Sequence, residues 1–288
     1  MCGWSRSKAK LAWAAAHVGG NHEVSNGGEN WLGYKLRYPN NHADSGSDSF
    51  LWYSFEAGPV HFIMLCSYAD FTDASIQAQW LRSDLARVDR KKTPWLIAVW
   101  HTPWYTSNHH HPMSEGAAMR ESMETLMMQA EVDLIINGHV HAYERTKPVY
   151  QLALDEARGI PCTQLLLVLF AAWLDWLGRC RADGPSAICS PPDITIGDGG
   201  NREGFATPWN FPQPDWTALR QDAYGYGLLD ISPSTAEWKW NRIADKWNPN
   251  PAGLVRPPAF RAVGNQAHHQ LPVRCGWQGD SATYKAKK

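Results

Sequence analysis

Val132-Asp133-Leu134-Ile135-Ile136-Asn137-Gly138-His139-Val140-His141 joins a strand-length apolar run to a pair of histidines one residue apart. A short apolar run that stops at a glycine reads as a buried strand followed by a turn. Two histidines just past its carboxyl end can both turn into a cavity there. Imidazole nitrogens are good ligands for zinc, iron and manganese, and an Asn carbonyl oxygen can complete such a set. Trp95-Leu96-Ile97-Ala98-Val99-Trp100 is a second short apolar strand, and it ends at His101. Further upstream stands Gly20-Asn21-His22-Glu23, where a glycine before Asn lets the backbone turn tightly and aim the amide inward.

Working outward, Phe50–Glu56 and Val60–Cys66 read as two strands joined by the hairpin signal Ala57-Gly58-Pro59. Residues 75–90 carry Ile76, Trp80, Leu81, Leu85 and Val88 at helical spacing, with Asp73 or Ser75 as the cap. Residues 114–130 read as a second helix, rich in Met and Glu. Strand, helix, strand, helix, strand, with polar residues gathered at strand ends, is the pattern of an α/β sheet whose functional loops lie along one edge. Later, Ile194–Asn201 reads as a strand and Gly-rich turn, and Tyr224–Ile231 with Ala236–Arg242 as a final hairpin.

The chain has 288 residues, enough to bury a substantial core, and its 44% hydrophobic and 19% charged fractions fit a globular protein. A net charge of -1 gives no field that would draw nucleic acid or a membrane surface. The 16 tryptophans read first as core and loop-packing residues. Six cysteines show no Cys-x-x-Cys pair, which excludes a zinc ribbon, and Cys66 reads as a buried free thiol. The apolar run 164–174 is broken by Asp175 before membrane-spanning length. Leu11–Ala16 is shorter than the apolar core of a signal peptide, and the chain has no Asn-x-Ser/Thr sequon.

His101-Thr102-Pro103-Trp104-Tyr105 followed by His109-His110-His111, together with Gly20-Asn21-His22-Glu23, Gly138-His139-Val140-His141 and the late loop Gly197-Asp198-Gly199-Gly200-Asn201-Arg202-Glu203-Gly204, resembles the metallophosphoesterase superfamily. Within it the closest likeness is to the purple acid phosphatases. The resemblance implies an α/β fold, a metallophosphoesterase-type β-sandwich flanked by helices. Residues 18–150 would form its core and 191–245 its C-terminal part, with 1–17 an unrelated leader, 151–190 an insertion or misread segment and 246–288 a loosely ordered tail.

By the same resemblance Asn21, His101, His139 and His141 are metal ligands, while His22, His110 and His111 handle the phosphate or the leaving group. A divalent zinc, manganese or iron ion is expected at Asn21, His101 and His139, with Fe(III) beside His141 in intact relatives. Tyr143-Glu144-Arg145 is expected to pack and pair locally. The family's opening Asp and Gly-Asp-x-x-Tyr motifs have no counterpart in residues 1–20, so a missing first β-α-β portion, no purple colour and impaired hydrolysis are expected. The implied activity is hydrolysis of small phosphate monoesters at acid pH. The alternatives are a non-catalytic metal- or phosphate-binding remnant and a phosphodiesterase of the same superfamily. A secreted or vacuolar location follows from the resemblance, which also allows a homodimer; neither nucleic acid nor a membrane is an expected partner.

Overall fold

Apolar strands buried on both faces need a layer on each side, and the computed structural model supplies both. It describes residues 16–25, 30–154, 190–243, 276–278 and 281–285. In chain order the helices are α1 (Asn21–Ser25), α2 (Leu32–Arg37), α3 (Ile76–Leu85) and α4 (Ser114–Gln129). The strands are β1 (Tyr53–Ala57), β2 (Val60–Met64), β3 (Trp95–Val99), β4 (Leu134–Asn137), β5 (Tyr143–Thr146), β6 (Val149–Tyr150), β7 (Ala153–Leu154), β8 (Asp193–Ile196), β9 (Thr217–Gln221), β10 (Gly225–Ile231), β11 (Thr235–Arg242), β12 (Gly276–Gln278) and β13 (Ser281–Lys285).

Seven strands form the first sheet in the order β1-β2-β3-β4-β8-β5-β9. Strands β2, β3, β4 and β8 run parallel, while β1, β5 and β9 are antiparallel to their neighbours. The second sheet has the order β10-β11-β13-β12. The two-residue period of a strand sends alternate side chains to opposite faces. Val60, Phe62, Trp95, Ile97 and Leu134 accordingly pack with Ala236, Trp238 and Trp240 of the second sheet. Ile63, Leu96, Ala98 and Ile135 pack with Trp80 and Leu81 of α3 and Met119, Met123 and Met127 of α4. The result is a mixed α/β fold built as two facing sheets with helices on the outer face of the larger one. Tryptophans fill both interiors, which accounts for much of their number.

Helix α3 begins where Ser75 caps it, the side chain accepting the Ala78 N–H at 3.1 Å. Its buried face differs from the expected stripe. Ile76 is 63% exposed, while Gln77 and Asp84 are buried. Both polar side chains are satisfied inside. Gln77 accepts the Cys66 N–H at 2.7 Å, and Asp84 accepts Ser54 Oγ at 2.7 Å and meets His61 Nε2 at 2.8 Å. Burial raises the Asp84 pKa, but the hydrogen bonds from His61 and Ser54 outweigh it and hold the carboxyl below its ordinary value. Cys66 is a buried free thiol, its pKa pushed by burial up to about 11.

Tyr143–Arg145, expected to pair locally, instead runs through the sheet interior as β5, between β8 and β9. Glu144 is satisfied across the fold by Ser107 and Thr217. Two stretches of the segment read as a loose tail form β12 and β13, and β13 pairs with β11. The segment read as an insertion lies outside the described residues except for 151–154 and 190, as does the leader except for 16 and 17. Among the described residues no helix is long and apolar enough to cross a membrane; the apolar run 164–174 lies outside them.

Candidate metal centre

Strands β3 and β4 are adjacent and parallel, so the loops at their carboxyl ends open side by side. His101 follows β3, and His139 and His141 follow β4. The Gly138 N–H bonds the His101 carbonyl at 2.9 Å, tying the two loops together. His139 sits at φ 64°, a left-handed conformation uncommon for a side chain of its size. Helix α1 presents Asn21 to the same place, and Glu23 braces its start by accepting the Gly20 N–H at 2.7 Å.

The cluster that results is dense. Asn21 Oδ1 lies 3.1 Å from His101 Nε2. The ring centres of His101 and His139 are 5.1 Å apart, those of His139 and His111 4.5 Å, and those of His111 and His141 6.4 Å. His110 lies edge-on to His111 at 4.9 Å. Both are positioned by the buried Asn108, whose Oδ1 accepts their backbone N–H groups at 2.9 and 3.0 Å. His109 turns elsewhere, its Nδ1 meeting Asn210 Oδ1 at 3.3 Å.

Two carboxylates enter this histidine field. Glu115, in the first turn of α4, places Oε2 2.8 Å from His139 Nε2 and 3.2 Å from His111 Nδ1. Glu203 stands between His22 and His141, at 3.9 and 3.8 Å. Asn201 Oδ1 sets Glu203 by accepting its N–H at 2.7 Å and that of Gly204 at 2.8 Å. His22, His141, Asn201, Arg202 and Glu203 line an open cleft of about 320 Å³. Behind it Gly197 lies so close to the Val140 carbonyl that a Cβ there would be 2.0 Å from the oxygen.

Burial, reinforced by the charges of His139 and its neighbours, lowers the His101 pKa to about 3. Burial also lowers His139 and His141, against the opposing pull of Glu115 and Glu203 respectively. These imidazoles are therefore neutral near pH 7 and keep a lone pair for a metal. The oxygen and nitrogen donors of Asn21, His101 and His139 suit a borderline divalent ion, although that trio carries no charge of its own.

The sequence-predicted residues Asn21, His101, His139, His111 and His110 are thus brought together, with His22 and His141 grouped around Glu203. Glu115 and Glu203 were not among them. Glu115 reads as an ordinary acidic residue in a helix first turn, and only its position four residues after His111 marks it out. Glu203 lies inside a quoted Gly-rich motif in which glycine, not the acid, holds the eye.

Residues 4–143 match the family model for calcineurin-like phosphoesterases, and residues 190–246 match that for iron/zinc purple acid phosphatase-like protein C. The first match starts inside the stretch read as a leader. Over these stretches the chain is similar to purple acid phosphatases. It is 40% identical over 218 residues to purple acid phosphatase 18 of Arabidopsis thaliana, covering 75% of this chain and 42% of that one. With the phosphoenolpyruvate phosphatase of Allium cepa it shares 39% over 232 residues, covering 78% and 44%. The chain thus spans under half the length of these family members. The purple acid phosphatase PPD1 of yellow lupin shares the fold, with a TM-score of 0.59 at 21% identity, over 79% of this chain and 38% of that one.

Proposed function

We propose that this chain is a metal-dependent phosphomonoesterase of the acid phosphatase type, acting on small phosphate monoesters. The observation that carries the reading is the convergence of Asn21, His101, His139 and His111 at the carboxyl ends of two adjacent parallel strands. Asn21, His101 and His139 would hold a divalent zinc, manganese or iron ion, and His141 stands where a second, ferric ion would be served. A bound ion at such a site supplies Lewis acidity for the phosphoryl oxygen and lowers the pKa of water. The remaining work falls to the chain's own side chains. His110 and His111 face the cluster as donors that offset phosphoryl charge. His22, on the rim of the cleft beside Glu203, is placed to give a proton to the departing oxygen.

A second reading, binding without turnover, has an observation in its favour. Glu115 and Glu203, which enter the cluster, are each engaged with histidines. The two readings separate in one assay, the hydrolysis of p-nitrophenyl phosphate by protein reloaded with zinc, manganese or iron. Turnover that chelation removes and that His101→Ala lowers by more than about 100-fold supports the enzyme. Saturable phosphate binding with no turnover supports the second reading.

A further inference from the structure

We propose that Tyr68 is a positioning residue for the metal centre, its hydroxyl holding Thr102 and Asn21 in place and its ring backing His101. Tyr68 lies in the loop that follows β2. Its hydroxyl oxygen is 2.9 Å from Thr102 Oγ1 and also takes the backbone N–H of Asn21. That N–H stands at the start of α1, where a helix leaves its first donors without internal partners. The ring centres of Tyr68 and His101 are 5.8 Å apart, with the rings tilted by 50°. One side chain thus ties together two ligand-bearing segments that are 80 residues apart in sequence.

The surroundings leave His101 little freedom apart from what Tyr68 controls. The peptide group after His101 is held at both ends, its carbonyl by the Gly138 N–H at 2.9 Å and its own N–H by Ser67 Oγ at 3.1 Å. The imidazole is crowded by Gly20, where a Cβ would be 2.7 Å from His101 Cε1. With the phenol ring packed beside it, Nε2 stays 3.1 Å from Asn21 Oδ1. Ligands already held in their bound geometry need no ordering when an ion arrives, which is how outer partners raise affinity.

The loop that carries Tyr68 is itself fixed from below. Gln77, fully buried on α3, accepts the Cys66 N–H at 2.7 Å and donates Nε2 to the Cys66 and Asp70 carbonyls at 3.2 and 3.3 Å. The polar residue on the inward face of α3 therefore steadies the loop from which Tyr68 reaches the site. A residue that only filled space here would need no hydroxyl, and phenylalanine would serve as well. The inference rests on Asn21 and His101 being ligands, as in the proposed function.

The test titrates metal-free full chain with zinc by calorimetry, comparing wild type with Tyr68→Phe, Thr102→Val, the double variant and Thr102→Ser. Tyr68→Phe should weaken binding by about tenfold or more, and Thr102→Val by a measurable part of that. The double variant should lose less than the product of the two single losses, because both remove the same hydrogen bond. Thr102→Ser keeps the hydroxyl and should bind as the wild type does. Tyr105→Phe is the control for general destabilisation, since its hydroxyl bonds Glu124, and it should leave zinc affinity unchanged. Melting curves show that each variant folds. Unchanged zinc affinity in Tyr68→Phe, or an equal loss in Tyr105→Phe, would overturn the inference and leave the proposed function standing. Zinc binding that depends on Tyr68 in a chain that hydrolyses nothing would do the reverse, and no zinc binding by the wild type would overturn both.

Discussion

The loop edge and the sheet interior both keep ionisable side chains from water, and they use them in opposite ways. In the interior Glu144 is 1% exposed and accepts the Ser107 N–H at 2.8 Å, Ser107 Oγ at 2.6 Å and Thr217 Oγ1 at 3.0 Å. Asp193 on β8 takes a hydrogen bond from Asn137, whose own oxygen accepts Thr195 Oγ1 at 2.6 Å. These donors come from strands and loops far apart in sequence and stitch the sheet together. At the edge, two and four residues beyond Asn137, His139 and His141 meet other histidines and two carboxylates beside an open cleft. Polar groups that point at protein donors make a frame; polar groups that converge beside open space make a site.

The largest expected effect would break that contrast outright. Glu144→Ala leaves three buried donors without their acceptor and should cost about 3 kcal/mol or more of stability. His111→Ala at the edge should stay within about 0.5 kcal/mol of the wild type. Denaturant unfolding of the two variants checks both, and equal losses would erase the distinction. Gly197→Ala couples the regions, because the new Cβ would strike the Val140 carbonyl between the two site histidines. It should cost about 1–3 kcal/mol and weaken metal binding as well, as unfolding and zinc titration on one preparation would show.

The two regions should also respond to pH with opposite signs. His101, His139 and His141 bind protons more weakly folded than unfolded. The stability they lend is present above their ordinary 6.5 and is lost as pH falls, for His101 down to about 3. Burial raises Glu144 and Asp193, so their contribution is present in acid, below their ordinary 4.5 and 3.8, and is lost as pH rises through the raised values. His101→Gln should therefore flatten the loss of metal-free stability between pH 6.5 and 3 by up to about 1.4 kcal/mol per pH unit, measured by melting across that range. Ser75→Ala, which touches neither region, should cost about 1 kcal/mol through the lost helix cap and leave that pH slope unchanged.

Legibility in the sequence followed the range of the interactions. The β1–β2 hairpin, α3, β3, α4 and β4 announce themselves through local apolar periodicity and turn residues, and the histidines at the ends of β3 and β4 follow from them. Strands β5 and β9 do not, because Tyr-Glu-Arg-Thr and Thr-Ala-Leu-Arg-Gln show no clean alternation. Glu144 is tolerated in the interior only because Ser107 and Thr217, 37 and 73 residues away, satisfy it. Ile76 misled for the converse reason, since Gln77 and Asp84 found buried partners and took the inward face. Glu115 and Glu203 escaped because each meets histidines brought in by other loops, at separations of 24 residues for His139 and 62 for His141.

The most direct measurement is the rate of p-nitrophenyl phosphate hydrolysis at acid pH by metal-reloaded wild type and His101→Ala. The account predicts turnover that needs the metal and falls by more than about 100-fold in the variant. No turnover with any of zinc, manganese or iron, or equal rates in the two proteins, would contradict it.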